Sequence, residues 1–176
     1  MKKLLFFSIS AIFLALALTS CEDSSSASND ADILHLNTIQ SQVGYTWFYE
    51  EANIYEPIPE VINQIQQTFD TDHYFFLVYS QPSCSCELKQ LAFPHFMKTI
   101  IDANIPESNY TIFSMQNENT KHPHENIINI TNLPEFYVLR DTVVIMDVQK
   151  AMLEYMIAHP DDSITYEELI LDAISE

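Results

Sequence analysis

The chain has 176 residues, 47% of them hydrophobic and 12% aromatic, with a formal charge of −18 at pH 7. That composition supplies a core and excludes a disordered chain. The acidity disfavours phosphate backbones and anionic lipid head groups, so no nucleic-acid partner is expected. A single glycine, Gly44, excludes the glycine-rich loops of P-loop and dinucleotide-binding folds, and no cofactor is expected.

Residues 1–20 carry Lys2 and Lys3, then an apolar run from Leu4 to Leu18 broken only by Ser8 and Ser10. This is the layout of a signal peptide, too short and wrongly flanked for a membrane span. Leu18-Thr19-Ser20-Cys21 resembles the bacterial lipoprotein signal-peptidase box. The resemblance implies cleavage before Cys21 and lipid attached to that cysteine, hence a membrane partner through the N-terminal lipid. The expected location is the cell envelope, periplasmic or outward-facing. Residues 21–32 are acidic and serine-rich and read as a tether. Beyond Cys21 there are five basic and 25 acidic side chains, a formal charge of about −20.

Residues 33–58 read as an N-terminal extension belonging to the domain. Within it Val43, Tyr45, Trp47 and Tyr49 alternate with other residues, which predicts a strand. Trp47 is read as packing. From Pro59, Val61, Ile62, Ile65 and Phe69 recur at helical spacing. His73–Tyr79 follows as a near-continuous apolar strand, the mark of burial on both faces at the centre of an α/β sheet.

The run ends in Gln81-Pro82-Ser83, then Cys84-Ser85-Cys86. A helix is predicted over Glu87–Asn104, kinked at Pro94, with Leu88, Leu91, Ala92, Phe96, Met97, Ile100 and Ile101 on its buried face. Tyr110–Met115 is a strand and Gln116–Asn126 a polar loop. Leu133-Pro134 leads into the strand Glu135–Leu139, and Val143–Val148 returns as a hairpin. Gln149–His159 is helical. The last helix starts with a capping box, Thr165 with Glu168, and a hydrophobic staple, Ile164 with Leu169; its buried face is Leu169, Ile170, Ala173 and Ile174. Asp161-Asp162 and Glu167-Glu168 are read as helix-start charges.

The order from Pro59 is helix, buried strand, two cysteines opening a helix that contains Pro94, strand, loop, Leu-Pro strand, hairpin and helix. This resembles the thioredoxin family over roughly residues 59–176. The resemblance implies an α/β fold with a central mixed sheet flanked by helices. It also implies a cis Pro134 beside the cysteines, where it shapes a groove for a partner's disulfide. Three departures stand out. The spacing is Cys-x-Cys in place of Cys-x-x-Cys, Ser83 stands where an aromatic residue usually precedes the motif, and no acid ends Tyr74–Ser80.

A helix N-terminus favours thiolate, the nucleophilic form of cysteine. At i and i+2 on a helix the side chains of Cys84 and Cys86 point to nearly opposite faces, so a bridge between them is strained and oxidising. The expected function is thiol–disulfide exchange as an envelope oxidoreductase acting on protein thiols or disulfides. Counting from the strand favours Cys84 as nucleophile, counting back from Pro94 favours Cys86, and Glu87 opposes thiolate formation. An inert disulfide on a scaffold without catalysis is one alternative, and a non-catalytic interaction module in an envelope complex a second. Cu(I) handling is another, with Cys84 and Cys86 as soft ligands and His122, His124 or His95 as a third.

Overall fold

The structure, a computed structural model, describes residues 30–83 and 91–175. The signal segment, Cys21, Cys84, Cys86 and the start of the helix expected from Glu87 lie outside the described residues. No helix among the described residues is long and apolar enough to cross a membrane.

Among the described residues five strands form one sheet: β1 (Asp32–Leu34), β2 (Tyr74–Ser80), β3 (Tyr110–Ser114), β4 (Glu135–Arg140) and β5 (Val143–Asp147), in the order β1-β3-β2-β4-β5. Only β2 and β3 run parallel; the other neighbours are antiparallel. The central place of β2 follows from its sequence. Phe76, Leu77, Val78 and Tyr79 are all essentially fully buried, which only a strand covered on both faces allows. Parallel pairing needs a long crossover, and the helix after the cysteines supplies it.

The helices are α1 (Phe48–Ala52), α2 (Pro59–Thr68), α3 (Ala92–Asp102), α4 (Val148–Ala158) and α5 (Tyr166–Ser175). All five pack on the sheet face presented by Phe76, Val78, Phe136 and Val138. The opposite face, Leu77, Tyr79, Tyr137 and Leu139, is covered by Met115, Ile128, Ile130 and Leu133. Those four come from the irregular 115–134 connection. It has no helical apolar period, so it lies on the sheet as a loop pinned by side chains. The architecture is therefore α/β, a mixed sheet flanked by helices, as the resemblance implies.

Several expectations are corrected. Residues 43–49 form a turn and the start of α1, not a strand. The residues that enter the helix-side core there are Tyr45, Phe48 and Ala52, with Tyr49 packed beside them, which is helical spacing; Val43 is 92% exposed. In α3 the stripe is Phe93, Phe96, Met97 and Ile100, with Phe93 in and Ile101 37% exposed. Pro94 falls at the third described position of α3, a place that the start of a helix tolerates. The expected kink concerns the segment before Leu91, outside the described residues.

The tether ends inside the fold. Ala31 N–H donates to the Lys121 carbonyl (2.7 Å), and Asp32 pairs with Ser114. Residues 33–58 bury Leu34, Ile39, Tyr45, Phe48 and Ala52 in the helix-side core. Glu167 is more than a helix-start charge. It is buried, and its carboxylate accepts from Tyr55 Oη (2.6 Å) and Ile58 N (2.9 Å), tying the extension to α5. The capping box of α5 is present: Thr165 N donates to Glu168 Oε2 (2.9 Å) and Glu168 N to Thr165 Oγ1 (3.4 Å). The β4–β5 hairpin turns at Asp141, whose φ of 57° is one that Asp tolerates better than most side chains.

Candidate functional site at the carboxyl end of the central strand

The site candidates gather where β2 ends. Tyr79 pairs with Glu135, the residue that follows Pro134, so Leu133-Pro134 enters the sheet at the end of β2. The Leu133–Pro134 peptide bond is cis. Cys84 and Cys86 follow β2 in the chain but lie outside the described residues.

The exit of β2 is held from three sides. Tyr45, buried, reaches across the strand ends with Oη 3.0 Å from Ser80 Oγ and 2.9 Å from Ser114 Oγ. Burial pushes the Tyr45 phenol above its ordinary pKa, so it stays a donor. Ser80 Oγ donates to the Phe113 carbonyl (3.2 Å), and Met115 N to the Ser80 carbonyl (2.8 Å). Beyond Ser80, Gln81 Nε2 donates to the Gln116 carbonyl (2.9 Å). Ser83 N donates to the Gly44 carbonyl (3.1 Å), and Trp47 Nε1 donates to both Gly44 O (2.9 Å) and Ser83 O (3.0 Å). Trp47 thus does more than pack.

Across from this exit, Glu135 organises the approach to Pro134. Only 5% exposed, its Oε1 accepts from Thr131 N (3.1 Å), Thr131 Oγ1 (3.1 Å) and Asn132 N (2.9 Å), while its Oε2 accepts from Tyr137 Oη. Burial, with the Glu135 carboxylate as acceptor, drives the Tyr137 phenol far above its ordinary pKa. Sequence reasoning passed over this buried acid, although its signal is local: Thr131-Asn132 three and four residues ahead of an acid that opens an otherwise apolar strand.

Between this loop, the start of α3 and α4 lies an open groove of about 490 Å³. Pro134 and Ala92 line it together with Met152, Leu153 and Met156, and Lys150 and Asp147 sit at its polar side. Asp147, half-buried, has its pKa raised first by burial and secondarily by Glu135; its Oδ1 caps α4 by accepting from Lys150 N (3.0 Å).

Of the histidines named as third metal ligands, His122 and His124 gather on Tyr79 and His95 lies apart. His95 stacks on Tyr55 (ring centroids 4.5 Å apart) on the helix side. His122 and His124 pack on the other face: His122 meets the Tyr79 ring edge-on at 4.9 Å, and His124 Nδ1 lies 3.1 Å from Tyr79 Oη. Among the described residues no group of three His, Cys, Asp or Glu side chains is arranged to hold a metal ion.

Compared with protein-family models, curated proteins and solved structures, the chain matches none. Its chemistry is therefore read from its own geometry.

One pH dependence follows from the loop histidines. Burial lowers the pKa of both His122 and His124, so the folded state resists protons that the unfolded chain accepts. Their contribution is intact above the unfolded value of about 6.5 and is lost as pH falls from there through the lowered folded values. Thermal unfolding of wild type and of His122→Gln/His124→Gln should therefore differ in pH slope between about pH 7 and 5, with the double variant losing less on acidification. Parallel slopes would contradict this.

Proposed function

We propose that this chain is a lipid-anchored thiol–disulfide exchange protein with a thioredoxin-like domain, using Cys84 and Cys86 beside a partner groove shaped by Pro134. The observation carrying the reading is the pairing of Tyr79 with Glu135. It sets the Leu133–Pro134 bond alongside the end of the strand that runs, four residues on from Ser80, into Cys84. The order of elements after Pro59, with one parallel pair bridged by α3 and a closing hairpin and helix, supports the same reading.

The chemistry is a pair of displacements at sulfur. With the protein oxidised, a partner thiolate attacks one sulfur of the Cys84–Cys86 disulfide; a mixed disulfide forms and the other cysteine leaves as thiolate. A second partner thiolate then attacks the mixed disulfide at the partner's sulfur. The partner leaves oxidised by two electrons and the protein is reduced by two, its thiolates taking up the protons. The reverse sequence reduces a partner disulfide with the same balance.

The test is disulfide exchange with a synthetic dithiol peptide by the detergent-solubilised full chain. Wild type should exchange stoichiometrically, whereas Cys84→Ser and Cys86→Ser should each abolish exchange; offered the peptide in its disulfide form, the variant that keeps the attacking cysteine should be trapped as the mixed disulfide. Exchange that persists in both variants removes the redox role. Stoichiometric Cu(I) uptake that also requires His122 or His124 would favour metal transfer instead.

A further inference from the structure

The only tryptophan and the only glycine of the chain meet at the two residues that precede Cys84. Gly44 has φ +85°, and a Cβ on it would lie 2.6 Å from Pro82 Cβ and 2.9 Å from Pro82 Cα. No side chain fits there without moving Pro82, and the left-handed backbone disfavours one in any case. This close approach lets the Gly44 carbonyl accept from Ser83 N, and the Trp47 indole N–H bridges the Gly44 and Ser83 carbonyls. Both peptide groups of Ser83 are thereby held by a segment 36 residues upstream in the chain. Trp47 is 8% exposed, so this grip is largely shielded from water.

We propose that Trp47 is a positioning residue for the cysteine pair, its indole N–H fixing the carbonyl of the peptide that joins Ser83 to Cys84. This rests on the exchange reading above. The sequence offers no aromatic residue directly before the cysteines, where Ser83 stands. The aromatic group that borders this backbone comes instead from the N-terminal extension, with Gly44 making room for it. A buried indole N–H takes an acceptor wherever it packs; this one is shared between two carbonyls, one of them in the peptide that leads into Cys84. Phenylalanine keeps most of the bulk and loses the donor, so Trp47→Phe separates packing from positioning. Freed of this bond, the peptide ahead of Cys84 samples more orientations, and fewer are productive for in-line attack at sulfur.

The experiment compares full-length wild type, Trp47→Phe and Gly44→Ala in detergent. It measures exchange with the dithiol peptide and the pH profile of Cys84 alkylation, resolved by peptide mass mapping. Trp47→Phe should slow exchange about fivefold, the factor that one hydrogen bond of ordinary net strength represents, and move the alkylation profile. Gly44→Ala should do the same or more. A Trp47→Phe protein with wild-type exchange rate and alkylation profile overturns the proposal, while a wild type that does not exchange overturns the redox reading beneath it. Should both variants fail to fold, wild-type fluorescence decides, since Trp47 is the sole tryptophan. Its emission should change when the Cys84–Cys86 pair is reduced and stay constant in Cys84→Ser/Cys86→Ser. Equal emission from fully oxidised and fully reduced wild type overturns the positioning role.

Discussion

Replacing Glu135 by alanine should cost about 3 kcal/mol or more of unfolding free energy, because one buried carboxylate satisfies four donors. Its loss leaves the buried Tyr137 Oη without its acceptor, at about 1–3 kcal/mol, and releases Thr131 N and Asn132 N, which sit on exposed residues and recover part of their loss by turning to water. Glu135→Gln keeps an acceptor for the two backbone donors and turns an amide towards Tyr137, whose hydroxyl can accept in turn, so its cost should be about 1–2 kcal/mol. Thr131→Ala removes only one of the four contacts and should cost less than either. Equilibrium urea denaturation of the three variants gives this ranking, and near-equal midpoints for Glu135→Ala and Thr131→Ala would show the clasp to be unimportant. A local readout accompanies it. Glu135 contributes to the raised pKa of Asp147, after burial, so the Asp147 carboxyl should titrate lower in Glu135→Gln. The functional consequence lies in the loop: residues 131–132 are held to the strand only one step beyond Leu133-Pro134, so the same substitution should weaken exchange if this edge shapes the partner groove.

The contrast between what could be read from residues alone and what could not is physical. Strand β2 announces itself because the apolar run 74–79 is buried wherever it lies, and α5 because its capping box is a local pattern whose bonds join residues three apart. The extension was misread because Val43, Tyr45, Trp47 and Tyr49 satisfy a period of two, while Tyr45, Phe48, Tyr49 and Ala52 satisfy a helical one. The left-handed Gly44 and the burial of Phe48 decide for the turn and helix. The helix-free cover of the second sheet face was legible as a loop, but not as half of the core. Ile128 and Ile130 are buried while Ile127 is half-exposed, an order that only the sheet beneath imposes. The grip of Trp47 on Ser83 and the tie of Glu167 to Tyr55 and Ile58 span 36 and more than 100 residues. No local pattern announces them. The clasp at Glu135 is different: its bonds reach back three and four residues, and it was as readable as the capping box.

Phe96 tests the other wall of the site. It is fully buried, stacked on Phe136 of β4 with ring centroids 4.3 Å apart, and edge-on to Phe76 of β2 (6.1 Å) and to Tyr166 of α5 (6.0 Å). One ring therefore joins α3 to the central strand, to the strand that follows Pro134, and to the closing helix. Phe96→Ala should lose about 3–5 kcal/mol, from the transferred ring and the cavity left among rigid neighbours. Ile101 is the control that separates periodicity from burial. A broad apolar stripe on α3 includes it, yet it is 37% exposed, so Ile101→Ala should cost well under the roughly 2–5 kcal/mol of a buried isoleucine truncation. Denaturation midpoints of the two variants would settle the facing of α3: similar losses at both positions would mean that the helix is rotated from the arrangement described. Exchange should follow the same split. With Phe96 removed, α3, the next described α-helix after the cysteines, is no longer wedged against Phe136, and its first-turn Ala92 can shift relative to Pro134 across the shared groove. Ile101→Ala leaves that wedge untouched and should exchange at the wild-type rate.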